Sequence, residues 1–236
     1  MNGLTDIHQH VLWGLDDGAE TPQVMHGMLR AAQKQGIRRI AATPHVYPGF
    51  KPFDKALYAA RLDEAREYCD KNRLGIELLS GAEIAWTYHT ADALFRRKIP
   101  TINETDHVLL ELRHDISWRE VRTAVKAVLH EGFTPILAHV ERYACFVLQP
   151  ERALEMRDEL SIYYQVNANT VLAKNGFFVR RFMDRMLDAR GFDVLASDAH
   201  DCEFRPQNLR KAWEALQIRC GAQYADSLVN FGGIFK

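Results

Sequence analysis

Histidine and carboxylate residues stand at the end of almost every strand-like segment of this chain. In chain order, the residues at these positions are His8, His10, His45, Glu83, Glu111, His139, Asp198 and His200. Side chains so distant in sequence share one site only if the strands run parallel and present their carboxyl ends at one rim. That is the geometry of a β/α barrel, in which the chemistry lies at the C-terminal face. The sequence therefore predicts a barrel with a polar site at this rim.

Short apolar segments alternate with helix-like segments, which is typical of βα units and a parallel sheet. The predicted strands are 4–12, 38–43, 76–83, 107–112, 135–140, 162–167 and 192–197. We interpret the fold as α/β, a distorted seven-stranded (β/α)7 TIM-like barrel, rather than an open doubly wound sheet. Periodicity by itself does not decide whether the sheet closes.

Start and stop signals frame three of the predicted helices. Thr21 is an N-cap followed by proline at the first helical position, and Gly36 ends that helix. Asp54 begins a second helix that runs to about residue 72, and Ser117 begins a third that Gly132 ends. Weaker helices are predicted at 150–160, 179–189 and 206–218.

The composition is that of an ordinary globular protein of 236 residues, which we interpret as a single domain over 1–236. A formal net charge of −1 gives no electrostatic reason to expect nucleic acid or an anionic membrane as a partner. No apolar run approaches the roughly 18 residues that span a bilayer, so we expect no membrane insertion. The four cysteines are irregularly spaced without a CxxC pair, and we expect reduced thiols and a cytoplasmic protein.

The two histidines at positions 8 and 10 point to the same face of a strand, because strand side chains alternate. Any one polar residue at a barrel rim is most simply a satisfied structural group. Together with Asp17, however, the rim set comprises nine residues, and its carboxylates repel one another unless cations hold them together. Imidazole and carboxylate ligands without cysteine suit zinc, manganese or iron, and nine ligands suffice for two or three ions.

A bridging carboxylate such as Glu83 suits a pair of ions roughly 3.5–4 Å apart, which generates hydroxide and stabilises an in-line displacement at phosphorus. The chemistry therefore indicates phosphoester hydrolysis. Cysteine-based phosphatase chemistry is excluded, because none of the four cysteines is followed by arginine six positions later. The nucleophile must then be metal-bound water.

Seven short motifs carry a resemblance to a known family. They are His8-x-His10, Leu-Asp-Asp17-Gly, Thr-Pro-His45, Gly-Ala-Glu83-Ile, Leu-Leu-Glu111-Leu, Ala-His139-Val-Glu-Arg142-Tyr143 and Ser-Asp198-Ala-His200. From residue 8 to about 205 the chain resembles the PHP (polymerase and histidinol phosphatase) superfamily. Within it, the chain is most similar to the bacterial manganese-dependent protein tyrosine phosphatases of capsular and exopolysaccharide loci. The last stretch, 230–236, departs from the usual C-terminal pattern of that family.

The resemblance implies three divalent metal ions, with manganese as the first choice and iron or zinc as alternatives. The implied ligand sets are His8, His10, Glu83 and Asp198; Glu83, Glu111 and His139; and Asp17, His45 and His200. The resemblance also assigns phosphate binding to Arg142 and Arg205. Independently of any family, a guanidinium fork suits the oxygens of a phosphate monoester. A salt bridge to a nearby acid is the alternative role for each arginine.

The resemblance further implies a phosphotyrosine protein as substrate, in particular the C-terminal tail of a bacterial tyrosine kinase that controls capsule or exopolysaccharide synthesis. Self-association into a homo-oligomer is also expected from the family. Two other functions stay open. A small-molecule phosphatase, such as a histidinol phosphatase, needs a narrow pocket for an imidazole or amine. A non-catalytic metal-binding scaffold would show missing ligands, and none of the nine is missing.

Aromatic residues near the predicted ligands offer a wall for a tyrosine ring. They are the loop 47–53 together with Trp13, Trp86 and Tyr88. Ordinary packing is the alternative role for each of them. Asn167 and Asn169 end the one predicted strand that offers no ligand, and we expect them either to orient water or phosphate or to be turn residues.

Overall fold

The computed structural model describes residues 3–230, and every strand pairing within them is parallel. The strands are β1 (Leu4–Gln9), β2 (Ile37–Ala42), β3 (His45–Val46), β4 (Glu77–Ser80), β5 (Glu83–Ala85), β6 (His107–Glu111), β7 (Thr134–Leu137), β8 (Tyr163–Asn167) and β9 (Val194–Ala196). The expectation of a parallel α/β fold is therefore confirmed. The departure from the family pattern was expected at 230–236, and all of that stretch after residue 230 lies outside the described residues.

The strands form a curled layer made of two hydrogen-bonded sheets. Their orders are β1-β2-β4 and β3-β5-β6-β7-β8-β9. Only two residues separate β2 from β3 and β4 from β5, so the two sheets adjoin. At the other edge, an isolated bridge pairs Gln9 with Ala199, and Asp198 N donates to His8 O at 2.9 Å. The segment after β9 therefore lies against the end of β1.

The described residues form nine strands where the sequence predicted seven. The predicted strand 76–83 is divided into β4 and β5, because Gly81 N donates to the Tyr58 hydroxyl at 2.8 Å instead of continuing the ladder. A Cβ at Gly81 would lie 2.9 Å from Thr43 Cγ2, so the chain passes too close to its neighbour for a side chain. The remaining extra strand, β3, has two residues, which is too short for any periodicity to reveal.

Helices connect the strands and cover the outside of the sheet. They are α1 (Pro22–Lys34), α2 (Lys55–Lys71), α3 (Thr90–Phe95), α4 (Trp118–His130), α5 (Ala144–Leu148), α6 (Pro150–Leu160), α7 (Ala168–Leu172), α8 (Phe177–Asp188), α9 (Leu209–Cys220) and α10 (Ala222–Asn230), with 3₁₀ turns at Ile102–Glu104 and Val140–Arg142. The three predicted caps are confirmed. Thr21 accepts a hydrogen bond from Val24 N, Asp54 accepts one from Leu57 N, and Ser117 forms a capping box. The sequence did not predict α3, α5, α7 or α10.

Within residues 3–230, no helix combines the length and the apolar character needed to cross a membrane. The cytoplasmic location and the single-domain organisation expected from the sequence stay predictions.

Two apolar clusters fix the position of the rim. The inner cluster is built from alternate strand residues such as Ile7, Leu79, Leu109 and Ile136. Their sequence neighbours, for example Leu110, belong to the outer cluster that packs the sheet against the helices. Because side chains alternate along a strand, the inner cluster fills the space below the carboxyl ends. The polar residues at these ends therefore lie above an apolar floor.

The capping box at the start of α4 provides a test of local stability. Ser117 N donates to Glu120 Oε2 at 3.0 Å, and Glu120 N donates to Ser117 Oγ at 3.4 Å. We expect Ser117→Ala to lower the free energy of unfolding by about 1 kcal/mol, because the first turn loses its acceptor. Ser117→Asp should restore most of this loss. Urea denaturation of the three proteins checks the prediction, and equal stability of all three would contradict it.

Candidate metal centre

The fold brings the nine rim residues into one polar centre. His45 and Glu83 begin the short strands β3 and β5, where the sequence predicted that they follow or end a strand. Their places are β1 for His8, the segment after β1 for His10 and Asp17, β3 for His45, β5 for Glu83, β6 for Glu111, the segment after β7 for His139, and the segment after β9 for Asp198 and His200. Every member has a side-chain atom within 3.7 Å of another member. The spatial convergence expected from the sequence is thus present in the fold.

A buried carboxylate, Glu83, lies in the middle of this centre and is 1% exposed. Its Oε2 atom is 3.2 Å from Nε2 of both His8 and His10 and 3.0 Å from Nδ1 of His45. Its Oε1 atom is 2.9 Å from Nε2 of His139. Burial opposes ionisation of this group, but the surrounding imidazoles hold the pKa of Glu83 well below its usual range. Four histidines from three parts of the chain therefore converge on one anionic group.

Three groups of imidazole and carboxylate atoms have the proximity that a metal ion requires, with the ligand atoms of each group within 4.8 Å of one another. The groups are His8, His10, Glu83 and Asp198; His45, Glu83 and Glu111; and His10, Asp17, His45 and His200. The first is identical with one implied ligand set. The second contains His45 where the resemblance implied His139, and the third contains His10 in addition. His139 Nε2 nevertheless lies 2.9 Å from Glu83 and 3.7 Å from Glu111.

The balance of charge in the centre favours bound cations. Burial and the nearby charge of Glu83 raise the pKa of Glu111 to about 7. Burial lowers the pKa of His10, but hydrogen bonds to Asp16 and Asp198 outweigh it and bring this pKa well above its usual value. Both shifts mean that the carboxylates attract positive charge into a buried space. A divalent ion supplies that charge and releases protons from its ligands when it binds.

Three buried imidazole nitrogens make no hydrogen bond to any other described residue. They are His45 Nδ1, His139 Nδ1 and His200 Nε2. His45 Nδ1 faces Glu83 Oε2 at 3.0 Å, and His200 Nε2 faces Asp17 Oδ1 at 3.5 Å, without hydrogen-bond geometry. Burial, followed by the nearby charge of His10, lowers the pKa of His200 to about 4, so its ring is neutral at pH 7. Unshared nitrogen lone pairs that face carboxylate oxygens are the donor set that zinc, manganese or iron prefers.

A carboxylate that the sequence did not single out, Asp16, orients two of these histidines. Its Oδ2 atom is 2.7 Å from His10 Nδ1 and accepts the backbone N–H of His45 at 2.8 Å. Its Oδ1 atom accepts Gly18 N at 3.0 Å. Burial opposes ionisation, but the hydrogen bond from His10 and these backbone bonds lower the pKa of Asp16 to about 2. The only sequence signal for this role is its position beside Asp17.

Buried amides provide the same kind of support on β8. Gln165 Oε1 lies 3.1 Å from His8 Nδ1 and accepts His139 N at 2.8 Å. Gln165 Nε2 donates to Asn167 Oδ1 at 2.7 Å, and Asn167 Nδ2 donates to Asp198 Oδ2 at 2.9 Å. The strand that offers no candidate ligand therefore holds three of the candidate ligand residues in position. Residues 165 and 167 share a face of the strand because they are two positions apart.

The two predicted phosphate-binding arginines meet at one carboxylate oxygen. Arg142 Nη2 is 2.8 Å and Arg205 Nη2 is 3.0 Å from Asp198 Oδ2, and Arg205 Nη1 is 3.7 Å from Asp17 Oδ2. The salt bridges considered as the alternative role are therefore present for both. Each guanidinium carries five N–H donors, so one bond to Asp198 leaves others for a phosphate group. Their side chains are 34% and 37% exposed, so solvent and ligands reach them.

Two of the rim residues have left-handed backbone conformations. His139 has φ 33° and Asp198 has φ 54°, although neither is glycine. Such conformations cost roughly 1–3 kcal/mol and persist only where the surrounding structure enforces them. At residue 139 the chain turns into the 3₁₀ turn Val140–Arg142, which directs Arg142 back towards Asp198. Two of the eight non-glycine residues with positive φ in the described part of the chain therefore belong to the polar centre.

Some of the residues named from the sequence have other partners. Trp13 Nε1 donates to Glu64 Oε2 at 2.9 Å, and the Arg61 guanidinium lies 3.3 Å above the centre of the Trp13 ring. This indicates the packing role for Trp13. Asn169 Oδ1 accepts a hydrogen bond from Asn208 Nδ2 at 2.8 Å, which favours a structural role there.

Comparison with known proteins now assigns the family. The family model described as "Capsular polysaccharide synthesis, CpsB/CapC" matches residues 4–231. The chain belongs to this family. It is 29% identical over 231 residues to the tyrosine-protein phosphatase CpsB of Streptococcus pneumoniae, covering 95% of this chain and 94% of that protein. It is 28% identical over 229 residues to the tyrosine-protein phosphatase YwqE of Bacillus subtilis, covering 93% and 86%.

Solved structures agree with this membership. One, from crystal structures of YwqE from Bacillus subtilis and CpsB from Streptococcus pneumoniae described as unique metal-dependent tyrosine phosphatases, has a TM-score of 0.87 and 27% identity. The match covers 96% of this chain and 92% of that one. Histidinol phosphate phosphatase from Lactococcus lactis has a TM-score of 0.60 at 16% identity, with 94% of each chain covered. That second likeness concerns the fold alone.

The contact between Asp16 and His10 provides a test of the candidate metal centre. We expect Asp16→Asn to weaken binding of manganese about 10- to 100-fold, because the carboxylate no longer orients and polarises the imidazole. Titration calorimetry of the metal-free proteins with manganese measures this change. Asp70→Asn, an exposed aspartate on α2, is the matched control and should bind like the wild type. Equal manganese affinity of the Asp16→Asn and wild-type proteins would contradict the assignment.

Proposed function

We propose that this chain is a metal-dependent protein tyrosine phosphatase with a single domain over 1–236. The observation that carries this proposal is the convergence of three overlapping imidazole–carboxylate groups on Glu83, beside two arginines that share Asp198. Membership of the CpsB/CapC family supports the same activity. We further propose that β2–β3 and β4–β5 each act as one interrupted strand. Counted in this way, seven strands of a distorted barrel surround the centre.

We assign three divalent ions to the centre, with manganese as the first choice and iron or zinc as alternatives. The assigned residues are His8, His10, Glu83 and Asp198 for one ion, Glu83, Glu111 and His139 for another, and Asp17, His45 and His200 for the third. Bound there, the ions would supply an activated water at neutral pH and neutralise charge on the phosphoryl oxygens. His10 and His45 each belong to two of the three imidazole–carboxylate groups, so each of them lies close enough to be a ligand in either group.

The protein's own residues bind and orient the substrate. A phosphate monoester carries nearly two negative charges, and the guanidinium groups of Arg142 and Arg205 lie at the edge of the centre to receive its oxygens. Asp198, which accepts from both, keeps the two groups at a fixed spacing. The leaving phenol has a pKa near 10, so it departs more easily than an alcohol. An aryl ester is therefore the substrate class that this site serves best.

The physiological substrate that we propose is a phosphotyrosine protein, specifically the C-terminal tail of a bacterial tyrosine kinase in capsule or exopolysaccharide synthesis. The family description and the named activities of the relatives in Streptococcus and Bacillus support this proposal. We also propose that the protein forms a homo-oligomer, as expected from the family.

The activity can be measured directly as phosphate release by the manganese-reconstituted protein. We expect the protein to hydrolyse a phosphotyrosine peptide and a chelator to abolish this turnover. Turnover of histidinol phosphate should be low, because the phenol of tyrosine is a better leaving group than the alcohol of histidinol. A preference for histidinol phosphate would contradict this proposal and indicate a small-molecule phosphatase. Absence of turnover of either substrate by metal-loaded protein would instead favour the non-catalytic scaffold.

The role of Arg142 can be separated from a structural one. We expect Arg142→Ala to lower kcat/KM for the phosphotyrosine peptide roughly 100-fold, as loss of one transition-state donor does. Manganese affinity should change little, because Asp198 keeps Arg205 and Asn167 as partners. The control is Arg180→Ala, an exposed arginine on α8. A parallel loss of manganese binding would show that Arg142 supports the ligands instead of the substrate.

A further inference from the structure

A cleft of about 640 Å³ opens beside the metal centre on the side of Glu111. Aromatic side chains from two separate segments line it, namely Tyr47 and Phe50 from the loop after β3 and Trp86 from the end of β5. Its volume lies within the range of roughly 300–1,000 Å³ that is usual for small-ligand sites. The cleft is therefore large enough for an aromatic ring and the atoms attached to it.

The cleft is continuous with the candidate metal centre. Glu111, which lines it, belongs to one of the three imidazole–carboxylate groups. The ring of Tyr47 lies 5.6 Å from the ring of His45, and the ring of His114, another lining residue, lies 6.4 Å from the ring of His139. A phosphate ester held over the centre can therefore extend its organic part into the cleft without crossing another wall.

The exposed aromatic rings of the cleft have unused apolar surface. Phe50 is 81% exposed and Tyr47 is 40% exposed. A single exposed aromatic residue is common on protein surfaces and by itself indicates nothing. Here, however, three aromatic rings face one cleft that adjoins a polar reaction centre. Covering them with an apolar ring would be favourable at roughly 25 cal/mol per Å² of buried surface.

The loop that carries two of these rings is fixed in place. Thr87 Oγ1 donates to Pro48 O at 2.8 Å, and the backbone N–H of Phe50 donates to Tyr47 O at 3.1 Å. Gly49 has φ +82°, and a Cβ there would lie 2.1 Å from Cδ2 of His89. The loop backbone thus packs tightly on its neighbour, and this keeps the attachment points of both exposed rings beside the cleft. Preorganisation of this kind reduces the entropy that a ligand must overcome.

The outer edge of the cleft carries little net charge. Arg113 lies 3.5 Å from Asp115 and 3.9 Å from Glu120, so nearby carboxylates offset its positive charge. With two carboxylates beside one guanidinium, this edge has no excess of positive charge to attract a second phosphate or an acidic side chain. The lining therefore favours an uncharged, flat and apolar group.

We propose that this cleft receives the phenyl ring of phosphotyrosine and gives the enzyme its preference for aryl over alkyl phosphates. The proposal rests on the proposed phosphatase function and names the part of the surface that selects its substrate. Phe50 and Trp86 contact the ring, while Arg142 and Arg205 hold the phosphoryl oxygens. Tyr47 lines the side of the cleft nearest the metal centre, where its ring lies 5.6 Å from the ring of His45.

Two phosphonates that cannot be hydrolysed test the proposal without depending on turnover. Titration calorimetry of manganese-loaded protein compares the affinities of phenylphosphonate and methylphosphonate, which differ only in the group that would enter the cleft. We expect wild-type protein to bind phenylphosphonate more tightly. Phe50→Ala should lower this preference by about fivefold, because one ring contact is lost, and should leave methylphosphonate affinity unchanged. Phe50→Tyr should retain the preference.

Phe177→Ala is the matched control, because Phe177 is an exposed phenylalanine of α8, 64% accessible and outside the cleft. Trp86→Leu provides a second variant should Phe50→Ala fail to fold. Equal affinities of wild-type protein for the two phosphonates would overturn the proposal, as would equal weakening of both by Phe50→Ala. Failure of the phosphatase function would appear differently, as tight and selective phenylphosphonate binding without hydrolysis of a phosphotyrosine peptide.

Discussion

The buried carboxylate of Glu83 is the group on which the rest of the site depends. A carboxylate that is 1% exposed is stable only where positive charge or strong hydrogen bonds surround it. Four imidazoles from β1, the segment after it, β3 and the segment after β7 supply those partners. Because these elements lie far apart in sequence, the parallel order of the strands must be complete before Glu83 is compensated. Fold and reaction centre therefore require each other.

Much of this arrangement could be predicted from the sequence, because it follows from simple periodicities. Parallel strands place their carboxyl ends at one rim, so a histidine or carboxylate after each apolar segment is already assigned to a common site. The first ligand group agrees with the implied set in all four residues, His8, His10, Glu83 and Asp198. The helix N-caps at Thr21, Asp54 and Ser117 could also be predicted from the sequence. A short polar side chain just before a helix commonly accepts a hydrogen bond from the N–H groups of the first turn.

The remaining features depend on contacts that no local pattern encodes. Asp16 and Asp17 are adjacent and chemically identical, yet one is buried against His10 while the other faces His45 and His200. The side-chain oxygen of Gln165 contacts both His8 and His139. The residues around Gln165 in the sequence do not distinguish it from any other glutamine in a strand. The division of the third predicted strand depends on the Tyr58 hydroxyl, which reaches Gly81 from a helix more than twenty residues earlier. Tertiary geometry decides each of these cases.

The two oxygens of Asp198 contact different parts of the polar centre. Its Oδ1 atom faces His8 and His10 at 3.4 and 3.5 Å, while its Oδ2 atom accepts from Arg142, Arg205 and Asn167. One oxygen therefore faces the imidazoles of the candidate metal centre, and the other faces the two guanidinium groups. The backbone at this residue is left-handed, with φ 54°. The salt bridges therefore hold the guanidinium groups next to the candidate metal centre, where a phosphoryl group would lie in the proposed reaction. A salt bridge to Asp198 and the proposed binding of phosphate are thus compatible roles for these two arginines.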